Sequence, residues 1–369
     1  MSASKVYFAD LRTSAKENLL AKLVRLADSL DLRQAVPPRG LVAIKLHFGE
    51  KGNTAYIRPT FVRQIVERVR SLGGFPFLTD ANTLYAGTRA DSVSHLHTAV
   101  ENGFSFSVVN APLIIADGLR GASYSAVKIQ QELVKTAYIA KEIAEADGLI
   151  SLAHFKGHEL SGFGGTLKNL GMGCASRRGK MAQHADVSPK ITRKKCVGCG
   201  ECVEHCSQSA ITLQEEKAFI DAKKCIGCGE CILICSNKAV EVRWNSDMTL
   251  FQKKLVEYSL AVLKGKKGKV AFLNFLTQIS PACDCYGHSD APIVHDIGVM
   301  ASADPVAIDQ ASVDMVNRQK GLEGTALPAN KEPGGDKFRG LYPKVDWTIQ
   351  LQYAEQIGLG SREYELINI

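Results

Sequence analysis

The sequence predicts an α/β protein: a mainly parallel sheet domain, built from both ends of the chain, with a cysteine-rich module inserted between its halves. Three observations predict it. Short runs rich in Val, Ile, Leu and Phe alternate with segments of helical periodicity over the first part of the chain. The alternation breaks near Ser188-Pro189, where eight cysteines crowd between Cys196 and Cys235. It resumes afterwards, so the expected division is 1–187, 188–243 and 244–369, with the outer two parts packing as one α/β domain.

The elements follow in order. KVYFAD, LVAIKLHF, FPFLTDA, FSFSVVN and GLISLAHF are expected as strands, because β-branched and aromatic residues suit a pleated surface. SAKENLLAKLVRLADSL and RPTFVRQIVERVRSLGG carry apolar residues at helical spacing, and Gly73-Gly74 stops the second. TAYIAKEIAEADG is read as a helix leading into GLISLAH. AITL, AFID and AVEV are short apolar pieces between the cysteines. Beyond them, FQKKLVEYSLAVLKG is expected as a helix, KVAFLNFL and IVHDIGVMAS as strands, and DWTIQLQYAEQIGL as the last helix. DPVAIDQASVDMVN is a helix with Asp304 as N-cap and Pro305 in its first position. Lys320 to Lys337, rich in Gly and Pro, reads as loop.

Composition narrows the class. A chain of 369 residues with 45% hydrophobic and 22% charged residues can bury a large core. No apolar run approaches the eighteen or so residues of a membrane span. The opening MSASKVYFADLRTSAKENLL lacks the pattern of a secretory signal, so a cytoplasmic location is expected. Eleven cysteines in such a chain point to metal or redox chemistry before disulfides. The net charge of +7 is spread along the sequence, and no nucleic-acid reading motif accompanies it. Nucleic-acid binding is not expected.

KKCVGCGECVEHCSQSA (Lys194 to Ala210) recurs as KKCIGCGECILICSNKA (Lys223 to Ala239). Each copy has the C-x2-C-x2-C-x3-C spacing of bacterial two-cluster ferredoxins, in which the fourth thiol serves the other cluster. The expected ligand sets are Cys196, Cys199, Cys202 and Cys235 for one 4Fe–4S cluster, and Cys225, Cys228, Cys231 and Cys206 for the second. Gly198, Gly200, Gly227 and Gly229 leave room for backbone amides to approach the sulfurs. Ser207 and Ser236 stand where proline is usual, a change that removes no ligand. Two four-thiolate zinc sites are the alternative, but CxxCxxC suits a cubane better than a tetrahedron. The module is therefore read as ferredoxin-like, with electron transfer as its role and a purely structural pair of clusters as the plainer reading.

In a parallel sheet, ligands bind beyond the carboxyl ends of the strands. His47, Asp80 and His154 stand at three such ends, and KVAFLNFL runs on to Cys283 and Cys285 in PACDCYGH. Lys45 and His47 share a strand face, and a lysine in an apolar strand requires an anionic partner or a polar cavity. HFKGHELSGFGGTLKNLGMG follows. Its Gly164, Gly165 and Thr166 could present amides to a phosphate or carboxylate at a helix start, with Lys168 assisting; a plain tight turn is the alternative. His47, His154 and Lys168 are the catalytic candidates. Cys283 and Cys285, with His288 nearby and His154 or His158 across the rim, are candidates for a third metal site or for reactive thiols. Cys174 is read as structural, Arg177-Arg178-Gly179-Lys180 as a solvated face or loop, and His95 and His97 as helix-surface residues.

VAIKLHFGEKGNTAYIRP, HFKGHELSGFGGTLKNLGMG, CDCYGHSDAP and ASADPVAIDQAS together resemble domain-of-unknown-function family 362, in its ferredoxin-bearing form. The resemblance implies an α/β domain with an inserted or adjoining two-cluster ferredoxin module, found mostly in anaerobes, and it supplies no reaction. The residues themselves favour an iron–sulfur oxidoreductase, with electrons passing from the clusters to a substrate, cofactor or metal on the rim. An electron-transfer subunit docking a partner enzyme and a metal or cluster carrier are the alternatives. A redox partner protein and an anionic small molecule are the expected partners.

Overall fold

The chain opens with the strand Ser4–Asp10 (β1) and the helix Leu19–Ser29 (α1), whose Asn18 cap accepts from Ala21 N at 3.0 Å. The structure, a computed structural model, describes residues 3–85, 87–184, 189–206, 208–225, 229–241 and 247–369. Ser188, Ser207, Gly227, Cys228 and the expected boundary at 243–244 lie outside the described residues. Strand Leu41–Lys45 (β2), helix Pro59–Ser71 (α2), strands Phe75–Asp80 (β3) and Leu113–Ile115 (β4), and strand Gly148–His154 (β5) follow. Helices Thr166–Gly171 (α3) and Arg177–His184 (α4) lead to the cysteine-rich module. After it come helix Met248–Lys264 (α5), strands Val270–Leu276 (β6) and Gly298–Ser302 (β7), helix Pro305–Arg318 (α6) and strand Tyr364–Asn368 (β8).

The main sheet runs β8-β1-β7-β6-β5-β2-β3-β4. From β6 to β4 every pairing is parallel, whereas β7 is antiparallel to both β6 and β1. The centre of the sheet joins the two halves of the chain. β5, which precedes the module, pairs with β6, which follows it, from Leu149 opposite Val270 to His154 opposite Phe275. A segment can leave and return between two paired strands without disturbing the sheet, which is why the module is tolerated there.

Side chains alternate across the strands and separate two apolar layers. Ile44, Ile150, Leu152 and Phe275 face α1 and α2, where Leu26, Val62, Ile65 and Val69 are buried. Ala43, Leu149 and Phe272 face Leu167 of α3, Leu255 of α5 and Ile308 of α6. β5 is buried at every position, as a central strand covered on both faces must be. Asp304 caps α6 through Val306 N (2.8 Å) and Ala307 N (3.0 Å), and its other oxygen accepts from Ser4 Oγ and Ser361 N. One carboxylate thereby ties both chain ends to the helix. Among the described residues no helix is long and apolar enough to cross a membrane.

Two segments differ from the sequence-based expectation. FSFSVVN forms no strand: Phe106–Val109 is a single helical turn ended by Asn110 in the left-handed region. Its Phe-Ser alternation imitates a strand, but the left-handed Asn110 and Pro112 break the chain before it can join the sheet, and β4 starts only at Leu113. In TAYIAKEIAEADG, Thr136–Ala140 is a strand paired with Tyr124–Lys128, and only Lys141–Glu145 is helical. A cross-strand partner, which local periodicity does not reveal, overrides the helical pattern there.

In the module, Lys190–Ile191 pairs with Val240–Glu241, and Ile211–Gln214 with Lys217–Ile220. The short helices Glu201–Glu204 and Glu230–Ile234 each start after a glycine at positive φ, Gly200 (83°) and Gly229 (75°). The two sequence copies thus adopt the same local form.

At Gly171, a Cβ would stand 2.1 Å from Leu255 O, so α3 and α5 approach at backbone contact. Gly171→Ala should force them apart and destabilise the fold by about 1–3 kcal/mol. A lower urea midpoint at unchanged slope is the expected result.

Candidate active site

Because β2, β3, β5 and β6 are parallel, their carboxyl ends open on one rim, where a cavity of about 560 Å³ lies. That volume suits a small-molecule ligand. Lys45, His47, Asp80, His154, Lys168, Cys283 and Cys285 all line it. Residues drawn from five separate stretches of the sequence meet here.

The turn Cys283-Asp284-Cys285 is held by its middle residue. Buried Asp284 accepts from His154 Nδ1 at 2.8 Å and from Lys156 Nζ at 2.7 Å. Burial alone would raise its pKa, but these two neighbours hold it well below the usual carboxylate range. His154 Nε2 donates to the carbonyls of Thr277 (2.9 Å) and Gln278 (3.1 Å), so both ring nitrogens are engaged. The ring braces the turn, and with both nitrogens engaged it offers none to a metal. His158 Nδ1 accepts from Ser161 Oγ at 2.8 Å, and burial holds its pKa well below the ordinary value. His288 lies exposed against Tyr286. The expected third metal site of Cys283, Cys285, His154 and His158 is therefore not assembled, and among the described residues no three His, Cys, Asp or Glu side chains are gathered to hold a metal ion.

The thiols instead form a chain of hydrogen bonds. Lys168 Nζ donates to Cys283 Sγ at 2.9 Å, and Cys283 Sγ donates to Cys285 Sγ at 2.9 Å. His47 completes it. Its Nδ1 accepts from Gly49 N at 2.9 Å, which leaves the proton on Nε2, 3.7 Å from Cys285 Sγ. The Cys283 hydrogen bond, with the Lys168 charge and His47, holds the Cys285 thiol well below its ordinary pKa. Cys283 is pushed up by the same bond and by burial, so the pair retains one proton. Burial would lower the Lys168 pKa, but the thiols raise it and keep the ammonium charged.

A second network packs behind the first. Lys45 meets Asp80 at 2.9 Å, both buried, which satisfies the lysine that the apolar strand made conspicuous. Asp80 also faces Arg89 (3.5 Å) and His95 (3.7 Å), and Arg89 meets Glu50 at 3.1 Å. Arg89 donates to Tyr85 OH, which donates to Cys285 O at 3.0 Å and so ties this network to the thiol turn. His95 is fully buried, not on a helix surface; burial lowers its pKa to about 4. His97 is exposed as expected. Glu50, Tyr85, Arg89, Lys156 and Asn169 escaped the sequence reading, because none stands at a strand end or in a recognisable spacing.

The glycine-rich anion site is also corrected. Thr166 N and Leu167 N donate to the two oxygens of Asp309 at 2.8 and 2.9 Å, and a Cβ at Gly165 would lie 2.3 Å from Asp309 Oδ1. The amides at 166 and 167 already hold an internal carboxylate supplied by α6. Gly164 and Gly165 still line the cavity. Cys174 is buried, with its thiol 3.6 Å from Asn169 O.

Arg177-Arg178-Gly179-Lys180 is no solvated loop. It opens α4, and Arg177 is fully buried, donating to Thr83 O (3.3 Å), to Ala90 O and Arg120 O, and to Glu230 Oε2 of the module (3.1 Å). Beside it, Leu84 and Met181 pack with Ile232 and Val240, and Cys231 and Cys235 lie against the same cluster. Leu84 also lines the rim cavity.

Within the module, one small cavity is lined by Cys196, Cys199, Cys202 and Cys235, and another by Cys206, Cys225 and Cys231. Backbone amides donate to three of these sulfurs: Ala218 N to Cys196 (3.4 Å), Ala210 N to Cys206 (3.3 Å) and Ala239 N to Cys235 (3.2 Å).

The model of the family described as Domain of unknown function (DUF362) matches residues 42–314. The chain belongs to this family. Among solved structures, this DUF362 protein is similar to the lactate racemase apoprotein from Thermoanaerobacterium thermosaccharolyticum, at 14% identity and a TM-score of 0.40. The match covers 86% of this chain and 58% of that one. No curated protein matches it.

Two predictions follow the electrostatics. Lys168→Met removes the cation beside the thiol pair, so the pH midpoint for iodoacetamide alkylation of Cys285 should rise by roughly one to three units. An unchanged midpoint would show that Lys168 does not support the thiolate. Burial lifts Asp309 to about 6. A carboxyl raised on folding contributes stability at low pH that is lost as pH rises through that value. Asp309→Asn cannot titrate, so in urea unfolding it should gain on wild type between about pH 4 and 6, with no further gain above that window.

Proposed function

We propose that this protein is an iron–sulfur oxidoreductase, with two 4Fe–4S clusters in the inserted ferredoxin-like module and a small molecule transformed in the rim cavity. Cys196, Cys199, Cys202 and Cys235 would hold one cluster, and Cys225, Cys228, Cys231 and Cys206 the other. The donor set fits. Seven of these thiols line the two module cavities in the crossed grouping that the spacing implies, and Cys228 lies outside the described residues. Three amides donate to thiol sulfurs, contacts of the kind that orient cluster ligands. Gly198, at φ +73° with Glu216 O 2.2 Å from where a Cβ would stand, admits no larger residue beside them. When bound, such clusters supply electrons one at a time.

The observation that carries the reading is the shared wall. Leu84 touches the rim cavity on one side and the cluster of Ile232, Cys231 and Cys235 on the other. At the cavity, Lys168 and His47 hold charge and a transferable proton beside the thiol pair, while Phe251, Met172 and Leu160 add apolar lining that excludes water. In the module, Cys199 and Val197 are exposed, and a redox partner would meet the chain there.

Anaerobic reconstitution should give about eight irons per chain and a paramagnetic signal on reduction, and Cys202→Ser should lose about half the iron. His47→Ala and Lys168→Met should keep the iron while abolishing turnover in a dithionite-driven substrate screen. Zinc in place of iron, or rim variants that turn over as wild type does, would sink the proposal.

A further inference from the structure

Resting on the rim cavity as a reaction site, but not on what the module holds, we propose that Cys283 and Cys285 are a thiol–disulfide couple that reduces a small anionic disulfide. Their sulfurs are 2.9 Å apart within one tripeptide. Asp284 is locked between His154 and Lys156, so neither thiol can swing away from the other. Both line the cavity but are unequal: Cys283 is 2% exposed, whereas Cys285 is half-buried. That is the arrangement of an attacking thiol in front and a resolving thiol behind.

The charge of the cavity sets the substrate class. Lys45, Arg89 and Lys156 are matched by Asp80, Glu50 and Asp284. Among the described residues, Lys168 and Lys180 have no carboxylate at ion-pair distance; Lys168 bonds Cys283 Sγ and Lys180 donates to Ala175 O. Carboxylates act on both only at longer range, Glu159 of the cavity wall on Lys168 and Asp117 on Lys180, so an anionic ligand is the group that would meet the two ammonium ends directly. Phe251, Met172, Leu84 and Leu160 receive its carbon skeleton.

The step balances without a further oxidant. The Cys285 thiolate attacks one sulfur of the ligand, its S–S bond breaks, and the first half leaves as a thiolate. That thiolate takes the proton of Cys283, whose sulfur then attacks Cys285 and releases the second half as a thiolate facing Lys168. Two electrons pass from the cysteine pair to the ligand, giving one thiol and one thiolate. Resetting the pair takes two electrons and one proton, supplied by an iron–sulfur donor under the reading above or by a dithiol reductant in an assay.

The full chain, pre-reduced with a dithiol and desalted anaerobically, should be mixed with dithiodipropionate or with uncharged hydroxyethyl disulfide. Cleavage after lysine and arginine leaves Val270 to Arg318 as one peptide that carries both cysteines and no other. In wild type this peptide should become lighter by two hydrogens, with the anionic probe faster by roughly tenfold or more. Cys283→Ser should retain the probe on Cys285, and Lys180→Met should reduce the preference for the anionic probe while leaving the uncharged one active. A peptide that stays dithiol, a probe adduct that persists on wild-type Cys285, or equal rates for the two probes would overturn the proposal. Iron content, measured on the same sample, separates the readings: closure without iron sinks only the cluster assignment, and iron without closure sinks only this couple.

Discussion

Asp284 holds the centre of this protein together. It sits in the turn beyond the strand that follows the module and is gripped by His154 and Lys156, at and just beyond the end of the strand that precedes it. The two halves of the chain meet both as paired strands and through one buried carboxylate. Taking a charge out of water is costly, and removing one partner of a buried pair typically costs about 3–5 kcal/mol. The site therefore survives only where all three groups are present, and the thiols on either side of Asp284 inherit its rigidity.

The rest of the rim follows from the same electrostatic constraint. Buried cations accumulate where the strands end, and each must be met by a carboxylate, a carbonyl or a thiolate. Asp80 serves Lys45, Arg89 and His95 together, and Glu50 takes the other side of Arg89. Tyr85 links this layer to the Cys285 carbonyl, so that the thiol turn of the second part is held by side chains of the first. A cavity with this much preorganised charge orients a ligand without rearranging to do so.

Arg177 connects the rim to the module. It bonds the carbonyls of Thr83 and Ala90, which flank the cavity loop, and reaches Glu230 at the start of a module helix. Leu84 and Met181 fill the space beside it. The loop that shapes the cavity and the helix that carries Cys231 share one anchor, so their relative placement is fixed by a buried ion pair and packed side chains.

Much of this was legible in the sequence. Strand periodicity placed β1, β2, β3, β5, β6 and β7, the Asp304-Pro305 cap placed α6, and parallel order brought His47, Asp80, His154 and the two cysteines to one rim. These are local or topological features, carried by periodicity and chain order alone. What only the tertiary structure decided depends on groups far apart in sequence. The amides at 166 and 167 looked free until Asp309 arrived from α6 to occupy them, His154 looked available until Asp284 and two carbonyls took both nitrogens, and Arg177 looked solvated until Glu230 and the carbonyls of Thr83 and Ala90 met it. A polar side chain reads as free in a sequence because its partner is chosen by folding, and burial makes that choice obligatory.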